Sequence, residues 1–111
     1  MNPTVRLYVR DIVGQNYAVD QRDGERVYSR IVESLHTAHR VEISFDRVEL
    51  TIPAFLNVAI GQLLSEFPAG ELRDRVSFVD LTAEDRALLR LVVDNAKKYF
   101  RERAAGTPPK R

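Results

Sequence analysis

The alternation of apolar and polar positions predicts three main β-strands. The clearest is residues 40–46, RVEISFD, in which every second side chain is apolar, as in a strand with one buried face. Residues 5–13 and residues 75–80 alternate in the same way over part of their length. Residues 17–20 are predicted to be a short additional strand that forms a hairpin with the first.

Helical spacing of apolar residues predicts an amphipathic helix over residues 24–38. Val27, Ile31 and Leu35 recur at every fourth position and form one apolar stripe. Asp23, just before this stripe, is the predicted N-cap, because its carboxylate is able to accept hydrogen bonds from free backbone N–H groups.

The next predicted helix, residues 54–67, is apolar around most of its circumference. Pro53 suits the first turn of a helix, and Thr51 is its predicted N-cap. A helix of this kind is either enclosed in a core or presents part of its surface to a partner. Its apolar residues are Phe55, Leu56, Val58, Ala59, Ile60, Leu63, Leu64 and Phe67.

A third helix is predicted after Thr82, which is its N-cap, with Asp85 three residues later. The predicted order of elements is therefore β(β)αβαβα. This order indicates an α/β fold with a mostly parallel or mixed four-stranded sheet and three helices. Residues 1–104 are expected to form one domain and residues 105–111 a disordered basic tail.

Composition and charge limit the possible functions. The chain of 111 residues has no cysteine, so disulfides, thiolate metal sites and cysteine nucleophiles are excluded. The net charge is +1, but residues 96–111 carry +5 and the other residues −4. The N-terminus lacks the apolar stretch of a signal peptide and no segment is long enough to span a membrane, so we expect a cytoplasmic protein.

Candidate catalytic groups are sparse. No glycine-rich phosphate loop is present, and we expect neither a cofactor nor a metal ion. His36 and His39 are predicted to cap the C-terminus of the first helix. A hydrolase or transferase that uses either histidine with Asp46 is the least favoured hypothesis, because no nucleophile is specified near them. We therefore expect a protein that is not an enzyme.

Two segments resemble a known family. RVEISFDRVELTIPAFLNVAIGQLL and RVSFVDLTAEDRALLRLVVDNAKKY resemble the STAS-like domain family of small bacterial and phage proteins of unassigned function. The resemblance covers residues 5–100. This family is similar to the anti-sigma-factor antagonists and to the STAS domains of sulfate transporters. In those proteins a serine at the start of a helix accepts phosphate from a histidine-kinase-like ATPase, and the phosphate switches partners.

The present sequence departs from that pattern at the phosphoacceptor. The corresponding position falls at Pro53 or Ala54, neither of which has a hydroxyl group. Thr51 is the nearest candidate for phosphorylation. What the resemblance still implies is a non-catalytic regulatory module that binds a protein partner, such as a histidine-kinase-like ATPase or anti-sigma-like factor, or a second copy of itself.

This partner is expected to bind at loop 50–54 and helix 54–67. The residues predicted to contact it are Thr51, Ile52, Pro53, Ala54, Phe55, Leu56, Val58 and Phe67. The alternative is a nucleic-acid-associated phage or defence-related protein that uses its basic C-terminal helix and tail. In that case the phosphate contacts are expected at Lys97, Lys98, Arg101 and Arg103.

Overall fold

The computed structural model describes residues 3–104 and contains two separate parallel sheets. The larger sheet has three strands in the order β1-β3-β5, namely β1 (Thr4–Tyr8), β3 (Arg40–Ser44) and β5 (Val76–Val79). The smaller sheet pairs β2 (Tyr17–Ala18) with β4 (Leu50–Thr51). The predicted parallel α/β fold is confirmed, whereas the predicted single four-stranded sheet is wrong.

Apolar side chains lie on one face of the three-stranded sheet. In register, Val41 lies between two valines of the neighbouring strands, and Ile43 lies between Leu7 and Phe78. The side chains of this face belong to the core, into which the helices also pack. The opposite face carries the row Arg6, Glu42 and Ser77, of which two are exposed and Glu42 is half-buried.

The predicted first strand ends five residues early. Residues Val9–Val13 form a short helix, α1, in which Val9, Ile12 and Val13 are buried. They occupy positions i, i+3 and i+4, which lie on one face of a helix. Gly14 ends α1 with φ 88°, a left-handed conformation that glycine adopts without strain. The predicted hairpin is also wrong, because β2 pairs with β4 and not with β1.

The first long helix, α2 (Gln21–Thr37), begins earlier than predicted. Its N-cap is Asp20, whose carboxylate accepts a hydrogen bond from the backbone N–H of Arg22 at 2.8 Å. Asp23, the predicted N-cap, lies in the first turn instead, where a negative charge is favourable. The predicted apolar stripe of α2 is buried, as expected.

The predicted helix 54–67 is divided into shorter segments. The first is α3 (Pro53–Ala59), and a 3₁₀-helix over Gly61–Ser65 follows it. The sequence analysis did not predict α4 (Ala69–Arg75). The last helix, α5 (Ala83–Ala104), begins as expected, since Thr82 Oγ1 accepts a hydrogen bond from the backbone N–H of Asp85 at 3.0 Å.

The core encloses most of the apolar surface of the segment after Pro53. Phe55 and Ala59 are 0% exposed, and Leu56, Ile60 and Leu63 are also buried. Val58, Leu64 and Phe67 are half-buried. Of the two alternatives for this segment, enclosure in a core therefore holds for most of its length.

Two further expectations concern the C-terminal tail and membrane spans. The predicted tail, residues 105–111, lies outside the described residues. Across residues 3–104, none of the helices combines the length and the apolar character needed to cross a bilayer.

Candidate functional site

The small β2–β4 sheet positions the loop that precedes α3. Ala18 and Thr51 face inward as one register pair, and Tyr17 and Leu50 face outward as the other. Thr51 Oγ1 donates a hydrogen bond to the carbonyl oxygen of Ala18 at 3.0 Å. The alternation of side chains along a strand thus exposes one pair and buries the next.

The outward pair exposes large apolar groups. Tyr17 is 49% exposed and Leu50 is 50% exposed. Pro53 is also exposed, and Ile52 and Ala54 are half-buried beside it. We call these five residues the Tyr17–Leu50 surface. Contiguous exposed apolar groups of this kind mark interaction sites more often than single ones do.

Hydrogen bonds fix the backbone beneath this surface. The backbone N–H of Glu49 donates to the carbonyl oxygen of Asn16 at 2.8 Å. The Asn16 side chain accepts from Arg10 Nε at 2.9 Å and donates to a Glu49 carboxylate oxygen at 3.3 Å. The segments that carry Tyr17 and Leu50 are therefore tied to each other and to α1.

Three of the predicted partner contacts, Thr51, Phe55 and Leu56, lie inside the protein. Phe55 and Leu56 are 0% and 1% exposed, so they stabilise the core and are not available to a docked partner. Val58 is half-buried next to α2, where its Cβ lies 3.1 Å from the position that a Cβ on Gly24 would occupy. Phe67 is half-buried at a different place, described below. Of the predicted contacts, Ile52, Pro53 and Ala54 lie in the loop and the first turn of α3 and are at least partly exposed. That they contact a partner stays a prediction.

Thr51 is not the N-cap of α3. The N-cap is Ile52, which makes no side-chain capping hydrogen bond. Thr51 is 5% exposed, and its hydroxyl is engaged with Ala18. Phosphorylation of Thr51 stays a prediction, and it would require the β2–β4 pair to separate first.

An apolar groove lies between the 3₁₀-helix and α4 on one side and α5 on the other. It encloses a cavity of about 280 Å³ whose apolar lining includes Leu64, Leu72, Phe78 and Val93. A second depression of about 230 Å³ continues it past Phe67 and Phe100. We call both together the α4–α5 groove. Sequence analysis missed it because one wall is α4, which has a single large apolar residue.

The predicted nucleic-acid contacts lie in different surroundings. Lys97 is half-buried and lines the α4–α5 groove together with Arg73, whereas Lys98 is exposed and lines none of the cavities described here. Arg101 is exposed and lines the second depression. The side chain of Arg103 lies outside the described part of the structure. Nucleic-acid binding through these residues stays a prediction.

A polar network lies where β3 and β5 end. Ser44 Oγ donates to Asp80 Oδ2 at 2.6 Å and accepts a hydrogen bond from the backbone N–H of Asp46 at 3.1 Å. Asp80 has φ 63°, a conformation that asparagine and aspartate tolerate better than most residues. Ser44 is 0% exposed, so its hydroxyl holds the two strand ends together and is inaccessible as a nucleophile.

Arg6 lies beside this network on the open face of the sheet. Its guanidinium donates two hydrogen bonds to Glu42 Oε1, at 3.0 and 2.8 Å. These bonds, and then one involving Tyr8, raise the pKa of Arg6 above its ordinary value. The Arg6–Glu42 pair joins β1 to β3.

The hydrolase hypothesis fails on geometry. His36 and His39 precede β3 and Asp46 follows it, so the length of the strand separates both histidines from this carboxylate. The carbonyl oxygens at the C-terminus of α2 are bound by Arg75 and not by either histidine, so the predicted histidine caps are wrong as well. Among the described residues, no group of three acidic or histidine side chains is placed to hold a metal ion.

Comparison with known proteins identifies one family. The model of the family described as "STAS-like domain of unknown function (DUF4325)" matches residues 23–86, which is more than half of the chain. The match extends from the first turn of α2 to the first turn of α5 and includes β4 and the loop before α3. Neither the curated proteins nor the solved structures contain a significant match. From the extent of the family match, we conclude that the chain belongs to the STAS-like domain family.

Proposed function

We propose that the protein is a non-catalytic regulatory module that binds a protein partner through the Tyr17–Leu50 surface. The observation that carries this proposal is the outward-facing pair of Tyr17 and Leu50, each about half exposed, directly before the first turn of α3. Exposed tyrosines are frequent anchors of protein interfaces, and exposed apolar groups beside them mark interaction sites.

The backbone of this surface is suited to binding because it is already ordered. Asn16, Glu49 and Thr51 hold the two short strands by hydrogen bonds before any partner arrives. A partner that docks there orders few additional groups, so little of the binding free energy is lost as conformational entropy.

The partner class follows from the family resemblance. Related STAS domains use the corresponding loop and helix start to engage histidine-kinase-like ATPases, and we propose such an ATPase or an anti-sigma-like factor as the partner. Because this chain has Pro53 and Ala54 where a phosphoacceptor hydroxyl would lie, binding here is proposed without phosphorylation at those positions. Partner switching would then depend on competition for the surface.

A photo-crosslinking experiment in the native host tests this proposal. A photoreactive phenylalanine analogue replaces Leu50 in the full chain, and crosslinked proteins are identified by mass spectrometry. Leu91 is the matched control position, because it is 56% exposed and lies on α5, away from the loop. We expect one dominant product from position 50 and none from position 91. Equal products at both positions, or no product at position 50, would refute the proposal.

Substitution then measures the contribution of the surface. Leu50→Asp should weaken binding to the crosslinked protein by about 2 kcal/mol, which is roughly 30-fold in Kd, because it places a charge in an apolar contact. Leu91→Asp should leave the Kd unchanged. Both variants should melt within a few degrees of the parent, because both leucines are exposed. A crosslink between two copies of this chain would assign the surface to self-association instead.

A further inference from the structure

Cationic side chains surround the apolar lining of the α4–α5 groove. Lys97 lines both depressions of the groove, Arg73 lines the first and Arg101 the second. Arg90 extends the row of cations along α5 beside Phe78 and Val93, with Asp94 next to it. Arg90 and Arg101 are 11 residues apart, or about 16 Å along a helix. The positive charge therefore follows the groove and is not concentrated at one point.

Among the described side chains, these cations form no ion pair. The ion pairs within 4.0 Å involve Arg6, Arg10, Arg26 and Arg75, and none involves Arg73, Lys97 or Arg101 of the groove or Arg90 beside it. Lys97 is half-buried, so part of its side chain lies against the apolar lining of the groove. A ligand with carboxylates would supply the missing partners.

Residues 105–111 do not fit the groove. This segment, AGTPPKR, contains no carboxylate side chain and no large apolar side chain, and it adds two positive charges. It matches neither the apolar lining nor the charge of the groove, so it is not the occupant.

The shape and chemistry of the groove select among external ligands. A fatty acid brings one carboxylate, whereas the cations are distributed over about 16 Å. A nucleic acid brings several phosphates but gains nothing from aliphatic side chains such as Leu64 and Leu72. A helix with acidic residues beside an apolar stripe satisfies both features, because its successive apolar side chains would enter the two adjoining depressions.

We propose that the α4–α5 groove binds an acidic amphipathic helix of a partner protein. The apolar stripe of that helix contacts Leu64, Phe78 and Val93, and its carboxylates pair with Lys97 and Arg101. The groove shares no residue with the Tyr17–Leu50 surface, so each proposal can be tested independently of the other.

Selection from a random peptide library tests the proposal. Peptides of about 16 residues, long enough for a helix to span the groove, are displayed on phage and selected on the full chain. The selection is carried out at roughly 0.15 M salt, which screens non-specific attraction between exposed charges. We expect enriched peptides with leucine, isoleucine or phenylalanine at helical spacing and with several Glu or Asp residues between them.

Two neighbouring lysines provide matched variants for the affinity measurement. Lys97→Glu and Lys98→Glu change the net charge equally, but only Lys97 lines the groove. For the best selected peptide, Lys97→Glu should raise the Kd at least about tenfold, and Lys98→Glu less than about twofold. Leu50→Asp should leave this Kd unchanged, which separates the result from that of the proposed function.

A charge exchange completes the test. A peptide in which every Glu and Asp is replaced by Lys should bind the wild-type chain weakly and the Lys97→Glu variant more tightly. The proposal is overturned by enrichment of peptides without acidic residues, by no enrichment, or by equal sensitivity to both lysine variants. Tighter binding of a short duplex DNA or of a fatty acid at the same groove would overturn it as well.

Discussion

A contact between Tyr28 and Glu66 joins α2 to the residue that follows the 3₁₀-helix. The Tyr28 hydroxyl donates to Glu66 Oε2 at 2.5 Å. Partial burial of the phenol, and then this hydrogen bond to a carboxylate, raise the pKa of Tyr28 to about 12. Since an unfolded tyrosine has a pKa of about 10, the folded state holds this proton more tightly than the unfolded state does.

Alkaline stability should therefore depend on Tyr28. Its contribution to the free energy of unfolding is fully present below about pH 10 and is lost as the pH rises toward 12. Urea titrations at several pH values across this range should show a smaller loss of stability for Tyr28→Phe than for the parent. Tyr17→Phe removes the hydroxyl of an exposed ring and serves as the control. Equal slopes for the parent and Tyr28→Phe would contradict the assignment.

Gly24 allows α2 and α3 to approach closely. A Cβ added at this position would lie 3.0 Å from the carbonyl oxygen of Phe55 and 3.1 Å from Val58 Cβ. Glycine inside a helix is usually less favourable than alanine, by roughly 0.5–1 kcal/mol. Here the close backbone contact requires the residue without a side chain.

Gly24→Ala should consequently destabilise the protein by about 1–2 kcal/mol, since α3 has to move away from α2. Gly70→Ala in α4 is the control, because its Cβ would meet only Arg73 Nη2 at 3.7 Å. The control variant should be as stable as the parent or slightly more stable. Thermal and urea unfolding of both variants measure the difference. A Gly24→Ala variant at least as stable as the parent would disprove the packing argument.

The buried residues were predictable from the sequence, but their role was not. The apolar stripe of α2 and the alternating residues of β3 follow directly from periodicity, and both are buried. Phe55 and Leu56 fit a core or an interface equally well by pattern, because both environments require apolar side chains. Only the arrangement of α2 against α3 places these two residues inside.

At the scale of elements, α4 holds the C-terminus of α2. Arg75 Nη2 donates to the carbonyl oxygens of Leu35 at 2.5 Å and Ala38 at 2.9 Å, and Nε donates to that of His39 at 3.0 Å. Carbonyl groups in the last turn of a helix have no partner within the helix. One side chain from a later element therefore caps α2, and Nη1 also pairs with Glu71 at 2.8 Å.

Arg75→Lys should destabilise the protein by about 1.5–3 kcal/mol, because an ammonium group is unable to reproduce the forked geometry over three carbonyls. Glu71→Gln isolates the contribution of the ion pair and should cost less than about 1 kcal/mol, since this pair is partly exposed. Urea unfolding of the two variants provides the comparison. If both variants lose the same stability, the carbonyl contacts contribute nothing beyond the ion pair.

The elements that sequence analysis missed are short and lack a clear period. In α4, AGELRDR, the only large apolar residue is Leu72, so no stripe is visible. Its helical state is supported by Glu71–Arg75 pairing and by the long-range contacts of Arg75. In α1, Val9 continues the strand alternation as well as it begins a helix. Long-range contacts decided both cases, and they are not visible from local sequence.

At the scale of the whole molecule, the open sheet face and the two proposed surfaces divide the exterior into regions of different character. The polar row through Arg6 and Glu42 neutralises itself by an ion pair. The Tyr17–Leu50 surface is apolar, and the α4–α5 groove is apolar with unpaired cations. The sequence showed that residues 96–111 are basic. It did not show that some of these cations lie beside an apolar groove, because one wall of that groove is α4.

The strand order also sets the sequence of events on the ribosome. β3 occupies the centre of its sheet, and one of its two neighbours, β5, is encoded after residues 45–75. Synthesis of that intervening segment at roughly 5–20 residues per second takes about 2–6 s. For those seconds a nascent chain carries the apolar edge of β3 without a partner strand, and such an edge is prone to aggregate.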